Sequence, residues 1–233
     1  MTSNRKIALA AGVLFIITFV TSIPALWLFQ PVLDNPAAYV AGSGGDNTRI
    51  LVGASLELLL IVANVASAVV LFPILKRQNE MLSLGYVTAR LVESTFIAIG
   101  LVSVLGVVSL QQQGPTGADA GAVAVALAAI KDWTFLLGPG FIVGVGNGLL
   151  LGYLMYRSGL VPRRMAMLGL VGGPLICASG ILVLLGVFDE GGAAQGVATV
   201  PEFFWELSLG VWLAVRGFNP SSILPPDVGP ARA

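Results

Sequence analysis

Leu82–Leu110, LSLGYVTARLVESTFIAIGLVSVLGVVSL, decides the fold. A run this long and this apolar reads as a membrane-crossing helix, because about 20 residues rising ~1.5 Å each traverse the hydrocarbon of a bilayer. Inside it stand Arg90 and Glu93. Each costs roughly 2.5–3.5 kcal/mol at the centre of a membrane helix, so both have to face protein or water rather than lipid. Whatever packs around that pair sets the arrangement of the other helices.

The rest of the chain has the same character. Of its 233 residues 56% are hydrophobic and 10% charged, whereas soluble domains carry about 25% charged residues. The mean hydropathy is +0.91. This is the composition of a multi-pass membrane protein whose surroundings are the lipid bilayer. Twelve basic residues balance twelve acidic ones, which argues against an electrostatic nucleic-acid surface, and no nucleic-acid partner is expected. Histidine is absent and Cys177 is the only cysteine. Histidine-ligated haem or zinc, Ser-His-Asp and Cys-His nucleophiles and intramolecular disulfides are excluded with them. No cofactor and no metal site is expected.

Hydropathy divides the chain into six expected spans, Ile7–Phe29, Ile50–Leu75, Leu82–Leu110, Trp133–Tyr156, Met165–Val187 and Val200–Val215. The first has the basic flank of a signal peptide, but its apolar run is too long for one and no small-residue cleavage site follows, so it is expected to stay as a helix. Arg5, Lys6, Lys76, Arg77, Arg157, Arg163, Arg164, Arg216 and Arg232 fall on one side, and the opposite loops offer only Arg49 and Lys131. The positive-inside rule then puts both termini in the cytoplasm, in a protein of the cell (plasma) membrane.

The fold class is therefore an all-α bundle, residues 1–218 forming one six-helix transmembrane domain with short extramembrane helices in the outer loops. Asn35-Pro36 pairs an N-cap with proline at the first helical position, opening a surface helix over Pro36–Ala41. Asp119 precedes the alanine-rich Ala120–Ile130, expected to run helically into the fourth span. Gly191–Thr199 reads as a loop, with Pro201 opening the sixth helix. Residues 219–233, rich in proline and serine, read as a disordered cytoplasmic tail.

Polar residues within the spans gather at one depth. Counted from the cytoplasmic end of each helix, Arg90 lies ~12 Å in, Glu93 ~16 Å, Asn64 and Thr18 ~18 Å, and Asn147 and Glu206 ~15 Å. Five helices thus deliver polar groups to a layer near the midplane. Tyr86, Arg90, Glu93, Ile97 and Gly100 share one helical face, and Glu57, Ile61, Asn64 and Ala68 another. Glu57 lies ~10 Å nearer the outside, at the mouth of the layer or in a wet interface. Arg90 can neutralise Glu93 or Glu206 but not both, which leaves the layer at −1, or at −2 with Glu57. A proton, a cation or a basic ligand has to complete it. Arg90, Glu93, Glu206, Asn64, Asn147, Glu57 and Tyr86 are the candidate ligand- or ion-binding residues.

Glycine carries a second signal. Gly140, Gly144, Gly148 and Gly152 recur every four residues, a flat ridge for a neighbouring helix or for a second copy in a homo-oligomer. Gly138-Pro139-Gly140 is expected to bend or break the fourth helix, and Pro24 and Gly172-Gly173-Pro174 to kink the first and fifth.

Three pieces of sequence carry a resemblance. Arg90-Leu91-Val92-Glu93 lies in the third helix. Leu151-Gly152-Tyr153-Leu154-Met155-Tyr156-Arg157-Ser158-Gly159, with Pro162 beyond it, closes the fourth, and Glu206 precedes Trp212-Leu213 in the sixth. Their order resembles the bacterial membrane family catalogued as domain of unknown function 4386, from Arg5 to Gly217. Members often show histidines in the fourth helix, where this chain has none. The resemblance implies the membrane fold and brings no activity with it.

Two functions fit these features. One is a membrane protein that binds or moves a small molecule, a cation or a proton through the midplane site. The other is a non-transporting structural or accessory subunit whose ion-pair layer only fixes helix packing. An enzyme acting on lipid would have Glu93 or Glu206 as a general base with neither nucleophile nor metal beside it. A retinal pigment is disfavoured because no lysine falls within an expected span.

Overall fold

The computed structural model describes residues 2–43, 45–113 and 117–224, and among them every regular element is helical. In chain order these are α1 (Ser3–Asp34), the short α2 (Pro36–Ala38), α3 (Thr48–Leu75), α4 (Glu80–Gln112), α5 (Gly117–Leu137), α6 (Gly152–Ser158), α7 (Arg163–Leu184) and α8 (Ala193–Val215). Between α5 and α6 the chain stays helical but widens to the π form over Gly138–Ile142 and Gly144–Leu151. The expected break at Gly138-Pro139-Gly140 is thus a loosened stretch inside one helical run of 40 residues, Asp119–Ser158. Widening the turn lets the helix pass a proline that has no N–H to give.

Five segments are long and apolar enough to cross a membrane, namely Ser3–Asp34, Thr48–Leu75, Glu80–Gln112, Asp119–Ser158 and Arg163–Leu184. The 23-residue α8, which carries Glu202 and Glu206, is not among the five. It starts at Ala193, so the expected loop Gly191–Thr199 is mostly helix and Pro201 sits inside α8 rather than opening it. Pro24 and Pro174 likewise lie within continuous helices.

Local chemistry sets the helix ends. Thr2 and Asn79 accept the amides of Arg5 and Leu82, capping α1 and α4, and Asn35 accepts that of Ala38. The surface helix expected over Pro36–Ala41 is thus present only as far as Ala38. Past Ala38 the chain turns in the π form through Tyr39–Ser43, burying Tyr39 and Val40. Gly159, at φ 67°, ends α6 in the left-handed conformation that glycine adopts without strain. Arg5 ties the N-terminus to the end of α8, donating to the Leu213 and Ala214 carbonyl oxygens at 2.8 and 2.6 Å. Those carbonyls lack partners in the last turn and attract positive charge. The residues after α8 follow suit. The Asn219 amide donates to the Leu160 carbonyl oxygen at 2.8 Å and Ser221 Oγ to that of Ser158 at 2.6 Å. Of the expected disordered tail, residues 219–224 are therefore held against the α6–α7 turn, and 225–233 lie outside the described residues.

The long segments close into a ring. α1 packs on α3, α3 on α4, α4 on α5 and the π-helical stretch, that stretch on α7, α7 on α8, and α8 back on α1. Two apolar clusters fill the ring. One gathers Phe15, Leu71, Tyr86, Leu154 and Trp205. The other gathers Phe29, Tyr39, Ile50, Val104 and Ala124. Large apolar side chains such as Leu58, Val62, Val69 and Val102 cover the outside, more than half exposed, a surface that calls for hydrocarbon rather than water.

The glycine ridge is used within the chain. A Cβ on Gly144 would stand 2.4 Å from Ile176 Cγ2, and one on Gly148 2.4 Å from the Gly173 Cα. α7 therefore lies directly on the ridge through its own Gly172-Gly173 pair, and that face has no room for a second copy. Gly148→Ala is expected to cost roughly 1–3 kcal/mol by forcing two backbones apart. Gly196→Ala, with nothing within 4 Å of the added methyl, should instead gain about 0.5–1 kcal/mol from helix preference. Unfolding midpoints of the two variants in detergent check the contrast.

Candidate functional site

Arg90 and Glu93 stand one turn apart on α4, so the guanidinium reaches the carboxylate of its own helix, Nη1 to Oε2 at 2.8 Å. Asn64 of α3 closes a ring with them. Arg90 Nη2 donates to Asn64 Oδ1 at 2.6 Å, and Asn64 Nδ2 donates to Glu93 Oε1 at 3.2 Å. An amide suits this place because one end accepts and the other donates. The trio is withdrawn from solvent, Arg90 and Asn64 at 1% exposure and Glu93 at 5%. The Phe15 ring lies 5.8 Å from the guanidinium, within cation–π range. Of the two glutamates the charge count offered Arg90, the structure gives it Glu93.

Glu206 is held differently. The Asn147 amide donates to its Oε1, and the Trp205 indole N–H donates to the Asn147 carbonyl oxygen at 2.9 Å, which pins α8 to the π-helical stretch. Thr18 faces the same layer from α1 with its hydroxyl satisfied by the Phe15 carbonyl oxygen at 2.7 Å.

Two further charges join the layer that sequence reasoning missed. Lys131 belongs to no loop. It is 3% exposed within the long helical run, and its ammonium pairs with Glu57, with the Phe29 ring 5.1 Å away. Glu57 is therefore one half of a buried ion pair and not a residue of a wet interface, and a lysine does lie in a membrane-length helical segment. The second is Glu202, one turn before Glu206 on α8. It is 2% exposed, and neither carboxylate oxygen has a hydrogen-bond partner among the described residues. Its four-residue spacing from Glu206 was the available signal.

These groups surround a chamber of about 210 Å³ at the centre of the ring. Glu57, Asn64, Arg90, Glu93 and Glu206 line it, as do Lys131 and Glu202. Tyr86, fully buried, and Asn147 stand behind the wall, Asn147 acting through Glu206. Leu26, Phe135, Pro139, Ile176 and Phe203 are shared with a wider vestibule of about 880 Å³, whose rim carries Asp34, Asp132 and Glu190. Burial and the neighbouring Asp132 carboxylate push the Glu190 carboxyl above its ordinary value.

Charge is the chamber's chief property. Glu57, Glu93, Glu202 and Glu206 face Arg90 and Lys131, four negative charges against two positive, or −2 with every group ionised. The two cations form ion pairs with Glu93 and Glu57, and among the described residues the α8 pair has none. Among the described residues no three histidine, cysteine or acidic side chains stand close enough to hold a metal ion.

The family model described as domain of unknown function (DUF4386) matches residues 10–217. Neither a curated protein nor a solved structure matches the chain.

Proposed function

This chain belongs to the DUF4386 family, and we propose that it is a six-span protein of the cell membrane, both termini cytoplasmic, that binds or moves a small cationic or polar molecule through its central chamber. α8 serves as the sixth span. It closes the ring between α7 and α1, turns Glu202 and Glu206 inward, and exposes Phe204, Val211 and Val215 on its outer side. Orientation follows from the basic residues. With Lys131 buried, Arg49 in the first turn of α3 is the one basic side chain left at the membrane face opposite the termini, which sharpens the positive-inside bias.

The observation that carries the reading is Glu202, a carboxylate without a hydrogen-bond partner on the wall of a chamber that adjoins a vestibule. A layer built only for packing would have its polar atoms satisfied. The Arg90–Glu93–Asn64 ring comes near that structural role, with Arg90 Nε its one atom lacking a partner among the described residues. Glu202, Glu57 Oε2 and Asn147 Oδ1 do not.

Thermal unfolding of the detergent-purified protein against a panel of small cationic, neutral and anionic compounds tests the reading. At least one compound is expected to stabilise, by about 2.7 kcal/mol at a hundredfold excess over its Kd. Glu206→Gln is expected to keep the fold and lose that shift. A midpoint unmoved by every compound overturns the proposal.

A further inference from the structure

The charge left open in the chamber belongs to α8. Glu202 and Glu206 lie one helical turn apart, and both cations of the layer are committed elsewhere, Arg90 to Glu93 and Lys131 to Glu57. Resting on the reading of the chamber as a ligand site, we propose that the Glu202–Glu206 pair takes up a compact protonated amine in exchange for a proton.

The place made for Glu202 explains why it needs an outside partner. A Cβ on Gly148 or Gly172 would come within 2.8 or 2.9 Å of Glu202 Oε2, so the carboxylate sits in a notch cleared by two glycines. The notch supplies space and no donor. A buried anion without a donor costs several kcal/mol, and a proton or a cation removes that cost. Titratable and charged groups face the pair from several sides. α4 presents Arg90, Glu93 and Tyr86, α3 presents Glu57, α5 presents Lys131, and α7 presents Cys177. The chamber side of α1 presents Thr18, Phe19, Ser22 and Leu26, which do not titrate, and the π-helical stretch presents the neutral Asn147. Neutrality therefore takes two positive charges from outside, as protons or as bound cations.

The chemistry of the open atoms selects the ligand. Both Glu202 oxygens are acceptors without donors among the described residues, and an ammonium group brings N–H bonds to serve them. An anion would enter a chamber already at −2. The size admits a small apolar body, since a cavity of about 150 Å³ holds one benzene ring and this one measures about 210 Å³. Phe19, Phe135 and Phe203 line it, and aromatic faces attract cations. Asp34, Asp132 and Glu190 at the vestibule rim raise the local concentration of cations.

The exchange balances in atoms and charge. The amine enters as R–NH3+. The O–H bond of one protonated carboxyl of the pair breaks, its electron pair stays on the carboxylate, and the carboxylate accepts N–H hydrogen bonds from the ammonium. The proton leaves through the vestibule, so the charge of the chamber is the same before and after. No group is oxidised or reduced.

Calorimetric titration of the full-length protein in detergent with benzylammonium tests this, using buffers of different ionisation enthalpy over a range of pH. One proton is expected to leave per ligand bound, with affinity rising about tenfold per pH unit while the pair holds its protons. Glu202→Gln and Glu206→Gln should each weaken binding about tenfold or more. If those variants fail to fold, the proton count of the unaltered protein decides alone. Binding without proton release overturns the exchange, and equal affinity for benzyl alcohol or benzoate overturns the choice of ligand. Either result leaves the chamber standing as a binding site, whereas failure of every compound in the panel to bind overturns both readings.

Discussion

Arg90→Ala is expected to lower the stability of the protein in detergent by roughly 3–5 kcal/mol, because removing one partner of a buried ion pair leaves the other charge uncompensated. Two acceptors lose their donors at once. Glu93 Oε2 loses Nη1 and Asn64 Oδ1 loses Nη2, contacts now 2.8 and 2.6 Å long at residues no more than 5% exposed. For a chain of this size that corresponds to a fall in midpoint of about 6–20 °C. Adding Glu93→Gln to the variant removes the stranded charge and should recover a good part of the loss, since the neutral amide costs less to bury. Differential scanning fluorimetry on the single and double variants measures both. A single variant that melts with the unaltered protein would mean that the guanidinium does not hold this layer together.

The convergence of Arg90, Glu93, Asn64, Asn147 and Glu206 is legible in the sequence, and the reason is geometric. A helix that crosses a membrane rises by a near-constant amount per residue, so position in the chain converts to depth. Which cation pairs with which carboxylate is another matter. Glu93 wins Arg90 over Glu206 because it is three residues away on the same helix, while Glu206 is met first by Asn147. Depth alone does not rank those contacts.

The misses share one physical cause. Hydropathy measures transfer into lipid, but a side chain that faces the interior of the ring is never transferred there. Lys131 punctuates an apolar stretch, so a hydropathy reading starts the span beyond it at Trp133, whereas Glu202 falls inside the expected span Val200–Val215 and is passed over there. In the folded chain both sit inside helices, one paired with Glu57 and one lining the chamber. Pro201 has the same effect, marking a helix start by its preference for a first turn while standing well inside α8. The glycine ridge shows the complementary limit. Its flatness is plain from Gly144 and Gly148, but the helix that fills it is identified only by contact. Gly172-Gly173, read from the sequence only as part of a kink, is also the matching flat surface on α7, against the ridge on one side and Glu202 on the other.

Lys131→Ala is expected to cost as much as Arg90→Ala, again roughly 3–5 kcal/mol, and to do so for a separable reason. The site is built around the lysine stem. A Cβ on Gly100 of α4 would stand 2.4 Å from Thr134 Oγ1 and 2.9 Å from Lys131 Cδ, so the glycine keeps open the slot through which the ammonium reaches Glu57 on α3. Truncation empties that slot and strands Glu57, whose Oε2 already has no partner. Because Lys131 lines both the chamber and the vestibule, its removal also takes the chamber from −2 to −3 and leaves a cation-sized gap beside the stranded carboxylate. A double-mutant cycle over Lys131→Ala and Glu57→Gln isolates the pair, with a coupling of about 0.5–3 kcal/mol expected. Methylammonium, small enough to stand in for the missing ammonium, should raise the midpoint of Lys131→Ala and have less effect on the double variant. A cycle that closes to zero, with no response to methylammonium, would show that the pair does not stabilise the fold and that the charge count of the chamber has to be redrawn without it.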